Sequence, residues 1–306
     1  MKIAAVVVTF NRKDLLVECI SALMRQTRPL DAIYLVDNAS TDGTPELLAA
    51  AGFLSIPILH YRRQQHNVGG SGGFHDGMQA AFADGHDWIW VMDDDAEPHE
   101  DALVRMVPYC KHPEVVGVSC QKVAKDGSPS TSDLVYKRPK QSNLPYRELV
   151  CAPFVGFMLS RRVIESVGLP RAEFFIHHDD SEYCRRILTV GAIVLAEDSI
   201  IVHKVAASAG FVQRHFMGKV YTRYAYSKFC FSYFDLRNRI IVEKNYMRSK
   251  PAFTLKVIMR FWIKACQVIL LDKDRRWGRL CVLAKANLDG VRERYDNEYP
   301  FRLLRR

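Results

Sequence analysis

The sequence predicts an α/β fold, a mostly parallel sheet flanked by helices, followed by a basic helical C-terminal region. Three observations predict it. Runs of β-branched residues alternate with amphipathic segments through the first two thirds of the chain, polar residues recur just after each run, and the charge changes sign along the chain. Residues 204–306 carry 23 Lys+Arg against 8 Asp+Glu, a balance of +15, while the first 203 carry 20 against 26, a balance of −6. Two regions with different partners are therefore expected, residues 1–204 and residues 205–306.

The elements follow in order. "KIAAVVVTF" is a β-branched run, and "NRKDLLVECISALMRQ" places Leu15, Leu16, Cys19, Ile20, Leu23 and Met24 on one helical face. Asn11 followed by Asp14 has the pattern of an N-cap with an acidic partner. "AIYLVDN" reads as a second strand. "TDGTPELLAAAG" then starts a helix with Thr44 as cap and Pro45 at the first position, and stops it at Gly52. "IPILHY" and "DWIWVMD" supply two more strands, separated by a Gly-rich turn and a short helix around "GMQAAFADG". Sheets of this rhythm bind ligands beyond the carboxyl ends of their strands. After Pro251, "AFTLKVIMRFWIKACQVILL" sets Lys256, Arg260 and Lys264 at steps of four, one basic stripe on an otherwise apolar helix. Those charges argue against a membrane span. They leave two readings of equal weight, a helix lying on a membrane surface and a core helix with a solvated stripe.

With 306 residues and 48% hydrophobic content, the chain can bury a substantial core, which excludes a disordered protein. The N-terminal apolar run breaks too early for a signal peptide, so the expected location is the cytoplasm. Eight cysteines are scattered singly, without CxxC or zinc-like spacing, and read as reduced core thiols.

The chemistry concentrates in "VMDDDAEPHEDALV". Two unit charges about 4 Å apart repel by roughly 4 kcal/mol at the effective dielectric of a protein surface, so three consecutive aspartates are either fully solvated or hold a cation. On an extended backbone Asp93 and Asp95 point to one side and Asp94 to the other, and two carboxylates at a strand's end suit Mg²⁺ or Mn²⁺. Thr9 to Arg12 end the first strand and Asp37 and Asn38 the second, and "HNVGGSGGF" follows the third. Together they outline one crevice that suits a nucleotide. Gly69, Gly70, Gly72 and Gly73 allow close backbone approach, although the segment lacks the Lys-Ser/Thr of a P-loop. A second acidic group lies in "FFIHHDDSEYCRRI". There Glu182 reads as a helix cap, and a like-charged neighbour raises the pKa of one of Asp179 and Asp180 toward a general base's range. His203, ending the run "SIIVHKV", would favour Mn²⁺ if it stood beside two carboxylates.

"VVVTFNR", "LVDNASTDGT", "NVGGSGGF", "MDDD" and "HHDDSEYCRRI", in that order, resemble glycosyltransferase family 2, in particular its galactofuranosyltransferase-like and rhamnosyltransferase-like branch. "SYFDLRN" and "NLDGVRER" also look like that branch. The resemblance implies a Rossmann-like GT-A fold, a UDP- or dTDP-sugar donor, a divalent metal and an inverting mechanism. It implies that Thr9, Asn11, Arg12 and Asp37 hold the nucleotide and that Asn67 and Gly69 to Gly73 border the diphosphate and donor sugar. It further places Asp93, Asp95 and His203 on the metal, Asp94 near the ribose or sugar, Asp180 as base and Asp179 as acceptor-positioning residue. His177 and His178 stand where the better-known galactofuranosyltransferases carry a Trp, a departure that falls on the acceptor subsite.

The expected function is thus transfer of a sugar, galactofuranose or rhamnose, to a glycan or lipid-linked glycan in cell-surface polysaccharide synthesis. The basic region would meet the acceptor or the anionic inner face of the plasma membrane. A sugar-phosphate nucleotidyltransferase would need a GxGTR-like loop where "TFNR" stands. A non-catalytic nucleic-acid-binding protein leaves the acidic crevice unexplained, and a catalytically silent sugar-nucleotide binder would not need both acidic groups intact.

Overall fold

The computed structural model describes residues 1–130, 135–136, 146–204, 210–247 and 249–304. The chain forms two compact units, Met1–Ala172 with Asp180–Val205, and Glu173–Asp179 with Ala206–Arg306.

The first unit contains β1 (Ile3–Thr9), α1 (Lys13–Met24), β2 (Ala32–Asp37), α2 (Thr44–Ala50), β3 (Leu59–Arg63), α3 (Gly69–Ala83), β4 (Trp88–Asp93), β5 (Ala96–Pro98) and α4 (Ala102–Met106). β6 (Val115–Val123), β7 (Val135–Tyr136), β8 (Glu148–Cys151), β9 (Phe157–Ser160), α5 (Arg161–Val167), α6 (Asp179–Ile187) and β10 (Ala192–His203) follow. Among the described residues, ten strands form one sheet in the order β3-β2-β1-β4-β9-β6-β10-β8-β7, with β5 paired to β10. The first four strands are parallel, β9 runs antiparallel between β4 and β6, and β10 is parallel to β6.

β1 pairs with β2 on one side and β4 on the other, so the strand order reverses there. That reversal opens a crevice beyond the carboxyl ends of β1 and β4, at Thr9 and Asp93. Alternation along β1 divides the core: Ile3, Ala5 and Val7 join residues of α1, α2 and α4, while Ala4, Val6 and Val8 join residues of α3, α5 and α6. Both faces are covered, which is why the strands read as continuous apolar runs.

Several local expectations need correction. The glycines of "NVGGSGGF" lie in the first turns of α3 and not in a loop. Gly73 serves close contact, because a Cβ there would stand 2.5 Å from Val8 Cγ1, and further along α3 one on Gly77 would stand 2.4 Å from Val6 Cγ1. Asn11 does not cap α1: it is left-handed (φ 55°), and its Oδ1 accepts from the Thr41 N–H at 2.7 Å. Thr44 lies inside α2, and Asp42 Oδ1 bonds both its N–H and its hydroxyl. Cys266 is exposed and does not belong to the core.

The second unit holds a hairpin, β11 (Phe211–Phe216) and β12 (Lys219–Tyr224), which the helical reading of this region did not anticipate. α7 (Cys230–Tyr246), α8 (Lys250–Leu271), α9 (Arg276–Arg292) and α10 (Tyr299–Leu304) follow. Phe234 and Ile240 of α7, Val257 and Val268 of α8 and Val282 and Leu283 of α9 share one core. α8 packs into the core of its unit, as one of the two readings had it, but its basic stripe is paired rather than simply solvated. Lys256 and Arg260 pair with Glu243, the latter through two bonds of 2.8 Å, and Lys264 donates to Asp235 at 2.9 Å. The stripe is consumed by two acids of α7. No helix among the described residues is long and apolar enough to cross a membrane.

Candidate functional site

The acidic triplet sits where β4 turns into β5, with Asp93 ending the strand and Asp94 and Asp95 in the turn. Although the backbone turns, the side chains divide. Asp93, Asp95 and His203, which ends β10, offer ligand atoms all within 4.8 Å of one another, and His203 Nε2 stands 3.3 Å from Asp95 Oδ1. Asp94 faces the end of β1 instead. Its Oδ2 accepts the Thr9 hydroxyl at 2.7 Å and the Phe10 N–H at 3.4 Å, and its Oδ1 accepts from Arg12 Nη1 at 3.0 Å. The same Arg12 nitrogen reaches Asp95 Oδ2 at 3.3 Å. Burial raises the Asp94 pKa above the ordinary carboxylate range, against the pull of Arg12 and the Thr9 hydroxyl. For Arg12, burial acts to lower the pKa, and Asp94 and Asp95 outweigh it, leaving the guanidinium raised. The acids therefore do not face one another alone.

Two carboxylate oxygens and one imidazole nitrogen make a mixed hard and borderline donor set, which fits Mn²⁺ and accommodates Mg²⁺. The cluster is pinned from behind. The Lys204 N–H donates to the Asp95 carbonyl at 2.9 Å, and Lys204 Nζ pairs with Glu18 of α1 and, at 2.6 Å, with Glu97 of β5. Cys19 of α1 packs beneath, its Sγ 3.8 Å from the Asp93 carbonyl. Burial and the nearby aspartates keep that thiol well above its usual pKa.

Asp37 is fully buried at the end of β2. Its Oδ1 accepts the Ser40 N–H at 2.8 Å and its Oδ2 the Tyr61 hydroxyl at 2.6 Å, so both oxygens brace the loop after β2. Asn11 joins that loop to the one after β1, its N–H donating to Ser40 Oγ at 2.9 Å. Asn67 Oδ1 accepts the Gly69 N–H at 2.7 Å and so fixes the start of α3, where Gly69 is left-handed (φ 77°). Gly70 has open space where a Cβ would be, whereas Gly72 and Gly73 face Val68 and Val8. Asn38 donates to the Gly69 carbonyl at 3.0 Å, and its own Oδ1 is buried without a hydrogen-bond partner. The sequence reading placed Asn38 in the crevice but gave it no role of its own, and among the described residues that oxygen is an open acceptor. The signal for it was present, an Asn at a strand's carboxyl end.

The second acidic group lies apart in the chain, and the boundary of the two units runs through it, between Asp179 and Asp180. α6 begins at Asp179, and Asp180 Oδ1 accepts the following Ser181 N–H. Glu182 is not a cap. It is buried and paired with Arg186 at 2.8 Å and Arg171 at 3.4 Å, holding α6 to the loop after α5.

The loop before α6 is strained: Phe175, His177 and His178 are left-handed at φ 65°, 68° and 64°, a conformation that costs side-chain-bearing residues roughly 1–2 kcal/mol each. α7 holds it there. Asn238 Nδ2 donates to the carbonyls of Phe174, Ile176 and His177 at 2.9, 2.9 and 2.8 Å. Arg237 Nη2 reaches the carbonyls of Glu173 and Phe174, and its Nε donates to Asn238 Oδ1 at 2.8 Å. His178 Nε2 lies 3.0 Å from Asp235 Oδ1, the acid that Lys264 also holds. His177 is partly buried, its pKa lowered by desolvation, with its ring and that of Phe231 packed edge to face. These α7 residues were visible in the sequence only as "SYFDLRN". A better signal was that Arg237 and Asn238 fall on the apolar, inward face of their helix.

Comparison with known proteins agrees with this geometry. The profile of the family described as "Glycosyl transferase family 2" matches residues 4–168. The chain is 30% identical over 206 residues to galactofuranosyltransferase GlfT1 of Mycolicibacterium smegmatis, covering 62% of this chain and 66% of that one. It is 31% identical over 200 residues to the protein of the same name from Mycobacterium tuberculosis, covering 61% and 64%. The matches thus span just under two thirds of those relatives' own length. Among solved structures, residues 1–349 of TarS from S. aureus in complex with UDP-GlcNAc superpose with a TM-score of 0.61 at 12% identity, covering 99% of this chain and 88% of that one. GalNAc-T7 with UDP, GalNAc and Mn²⁺ gives 0.58 at 13% identity, covering 80% and 48%. At such identities the likeness shows the fold, and that fold is GT-A. The chain belongs to glycosyltransferase family 2.

Proposed function

We propose that this enzyme moves a sugar from a nucleotide-sugar donor to a glycan or lipid-linked glycan acceptor with inversion at the anomeric carbon. Galactofuranose from its UDP donor is the first candidate, supported by the names of the relatives, and rhamnose from its dTDP donor the second. The observation that carries the reading is the division of the triplet, with Asp93 and Asp95 beside His203 and Asp94 bound to Thr9 and Arg12.

Asp93, Asp95 and His203 would hold Mn²⁺ or Mg²⁺, which when bound supplies positive charge to the departing nucleoside diphosphate. Asp94, fixed by Thr9 and Arg12, presents the turn to the ribose or donor sugar. The loops braced by Asn11 and Asp37 border the nucleotide, and Asn67 and the open side of Gly70 border the diphosphate. Asp180 accepts the proton of the acceptor hydroxyl while that oxygen bonds to the anomeric carbon and the bond to the diphosphate oxygen breaks on the opposite face. The transition state has oxocarbenium character. Asp179, one residue earlier on the loop anchored to α7, positions the acceptor.

A donor screen in Mn²⁺, detecting released nucleoside diphosphate from UDP-galactofuranose, dTDP-rhamnose and UDP-hexopyranoses, tests the substrate. Asp180→Asn should lower turnover by about 10²–10⁴-fold, the usual contribution of a general base, while sparing donor affinity. Near-normal turnover of that variant would refute the base, and donor affinity unchanged by exhaustive chelation would refute the metal site. The nucleic-acid reading draws no support from Arg223, Lys256, Arg260, Lys264 and Arg279, which are all paired with acids.

A further inference from the structure

α8 turns an apolar face outward. Leu255, Ile258, Met259, Trp262, Ile263 and Leu270 are each between 50% and 60% exposed, and at 3.6 residues per turn they fall on one stripe. Exposed apolar residues on soluble surfaces are normally scattered singly, and a contiguous stripe marks a contact. The opposite side of the helix is already occupied by the core around Val257 and Val268 and by the ion pairs to α7.

The charges near the stripe indicate what covers it. α8 contains no Asp or Glu. Just past its C-terminal end, Lys273, Arg275 and Arg276 are exposed beside Trp277, which is 78% exposed. Asp274, the acid among them, is bonded by Arg279 at 3.0 Å and lies 3.5 Å from Arg214. A second copy related by a two-fold axis would offer this stripe only its own cations and no acid to meet them. An apolar face without acids, tryptophans exposed along it and a cationic corner at its end are the complement of an anionic lipid surface, with the helix lying in the interfacial plane.

We propose that the α8 face and the Lys273–Trp277 corner seat this enzyme on an anionic bilayer. The lipid-facing side is then the apolar stripe, and the Lys256–Arg260–Lys264 row lies away from it. This goes beyond the transfer reaction and holds whichever sugar is moved.

Flotation of the full-length chain with vesicles of phosphatidylcholine alone, or mixed with phosphatidylglycerol, tests it. The wild type should float with the mixed vesicles. Trp262→Glu/Ile263→Glu should reduce recovery by about tenfold or more, since charge on the inserted face opposes burial. Lys273→Glu/Arg275→Glu should remove the preference for anionic lipid, by about fivefold for each lost cation. Lys256→Ala, committed to Glu243, should leave recovery unchanged. Brominated lipid should quench tryptophan fluorescence of the unmodified chain, a readout that needs no variant to fold. Absence of flotation and quenching would overturn the proposal, as would wild-type recovery of Trp262→Glu/Ile263→Glu. A solution dimer that the same variant dissociates would assign the face to a second copy and overturn it equally.

Discussion

Asn238→Asp is the sharpest test of how the second acidic group is held. The substitution keeps shape and volume but replaces an NH₂ that donates to three carbonyls with an oxygen that repels them. The two hydrogens of the NH₂, shared among three carbonyls, contribute about 2 kcal/mol net, the repulsion introduced in their place costs about 1 kcal/mol more, and a charge-assisted bond from Arg237 returns about 1 kcal/mol. Against this, three left-handed residues store roughly 3–6 kcal/mol that only tertiary bonds hold in place. The loop should therefore relax and take Asp179 with it. Urea unfolding should show a loss of about 2 kcal/mol, and steady-state kinetics a fall in kcat of about tenfold or more with donor KM unchanged, since the donor-side residues belong to the first unit. Wild-type stability together with wild-type kcat would refute the reasoning, because it would mean that the loop keeps its conformation without the amide.

Asp235 is partly buried, which acts to raise its pKa, but His178 and Lys264 outweigh that desolvation and hold it well below the ordinary carboxylate range. The stability it contributes is present above the unfolded pKa of about 3.9 and is lost as pH falls toward the lower folded value. The stability gap between wild type and Asp235→Asn, from urea titrations, should shrink as pH drops from about 5 to about 2, and a gap that widens would contradict the pairing. Gly73→Ala places a methyl 2.5 Å from Val8 Cγ1, so α3 must move off β1 at a cost of about 1–3 kcal/mol, seen as a fall in Tm of several degrees; an unchanged Tm would show that the contact gives way freely. Arg12→Met leaves buried Asp94 with the Thr9 hydroxyl and a long Phe10 bond. Because the guanidinium is one-third exposed, the expected loss is about 1–2 kcal/mol, discounted from a fully buried pair, and calorimetry should show weakened donor binding as well.

Much of the first unit was legible because its strands are buried on both faces and read as unbroken apolar runs, with chemistry confined to the residues just after them. The division of Asp93 and Asp95 from Asp94 is the one that alternation on an extended strand suggested, although the backbone turns there, and His203, which ends a strand, stands with the outer pair. What misled was local preference overridden by packing. Glycines that read as a turn lie in the first turns of α3, where Gly73 packs so close to Val8 that a Cβ would stand 2.5 Å from it. Phe175, His177 and His178 adopt a backbone that no local rule assigns to them, and the reason lies on α7, far along the chain. Glu182 read as a helix cap and the α8 lysines as part of an unpaired stripe because their partners Arg171, Glu243 and Asp235 cannot be inferred from spacing.

The single nitrogen of Arg12 that bridges Asp94 and Asp95 has a consequence for the empty protein. A built-in counterion lets the acidic turn take its shape during folding, before any dication or substrate arrives. On the proposed function, withdrawing the dication should then idle the enzyme without unravelling it, and loading should be a matter of docking into a prepared cradle.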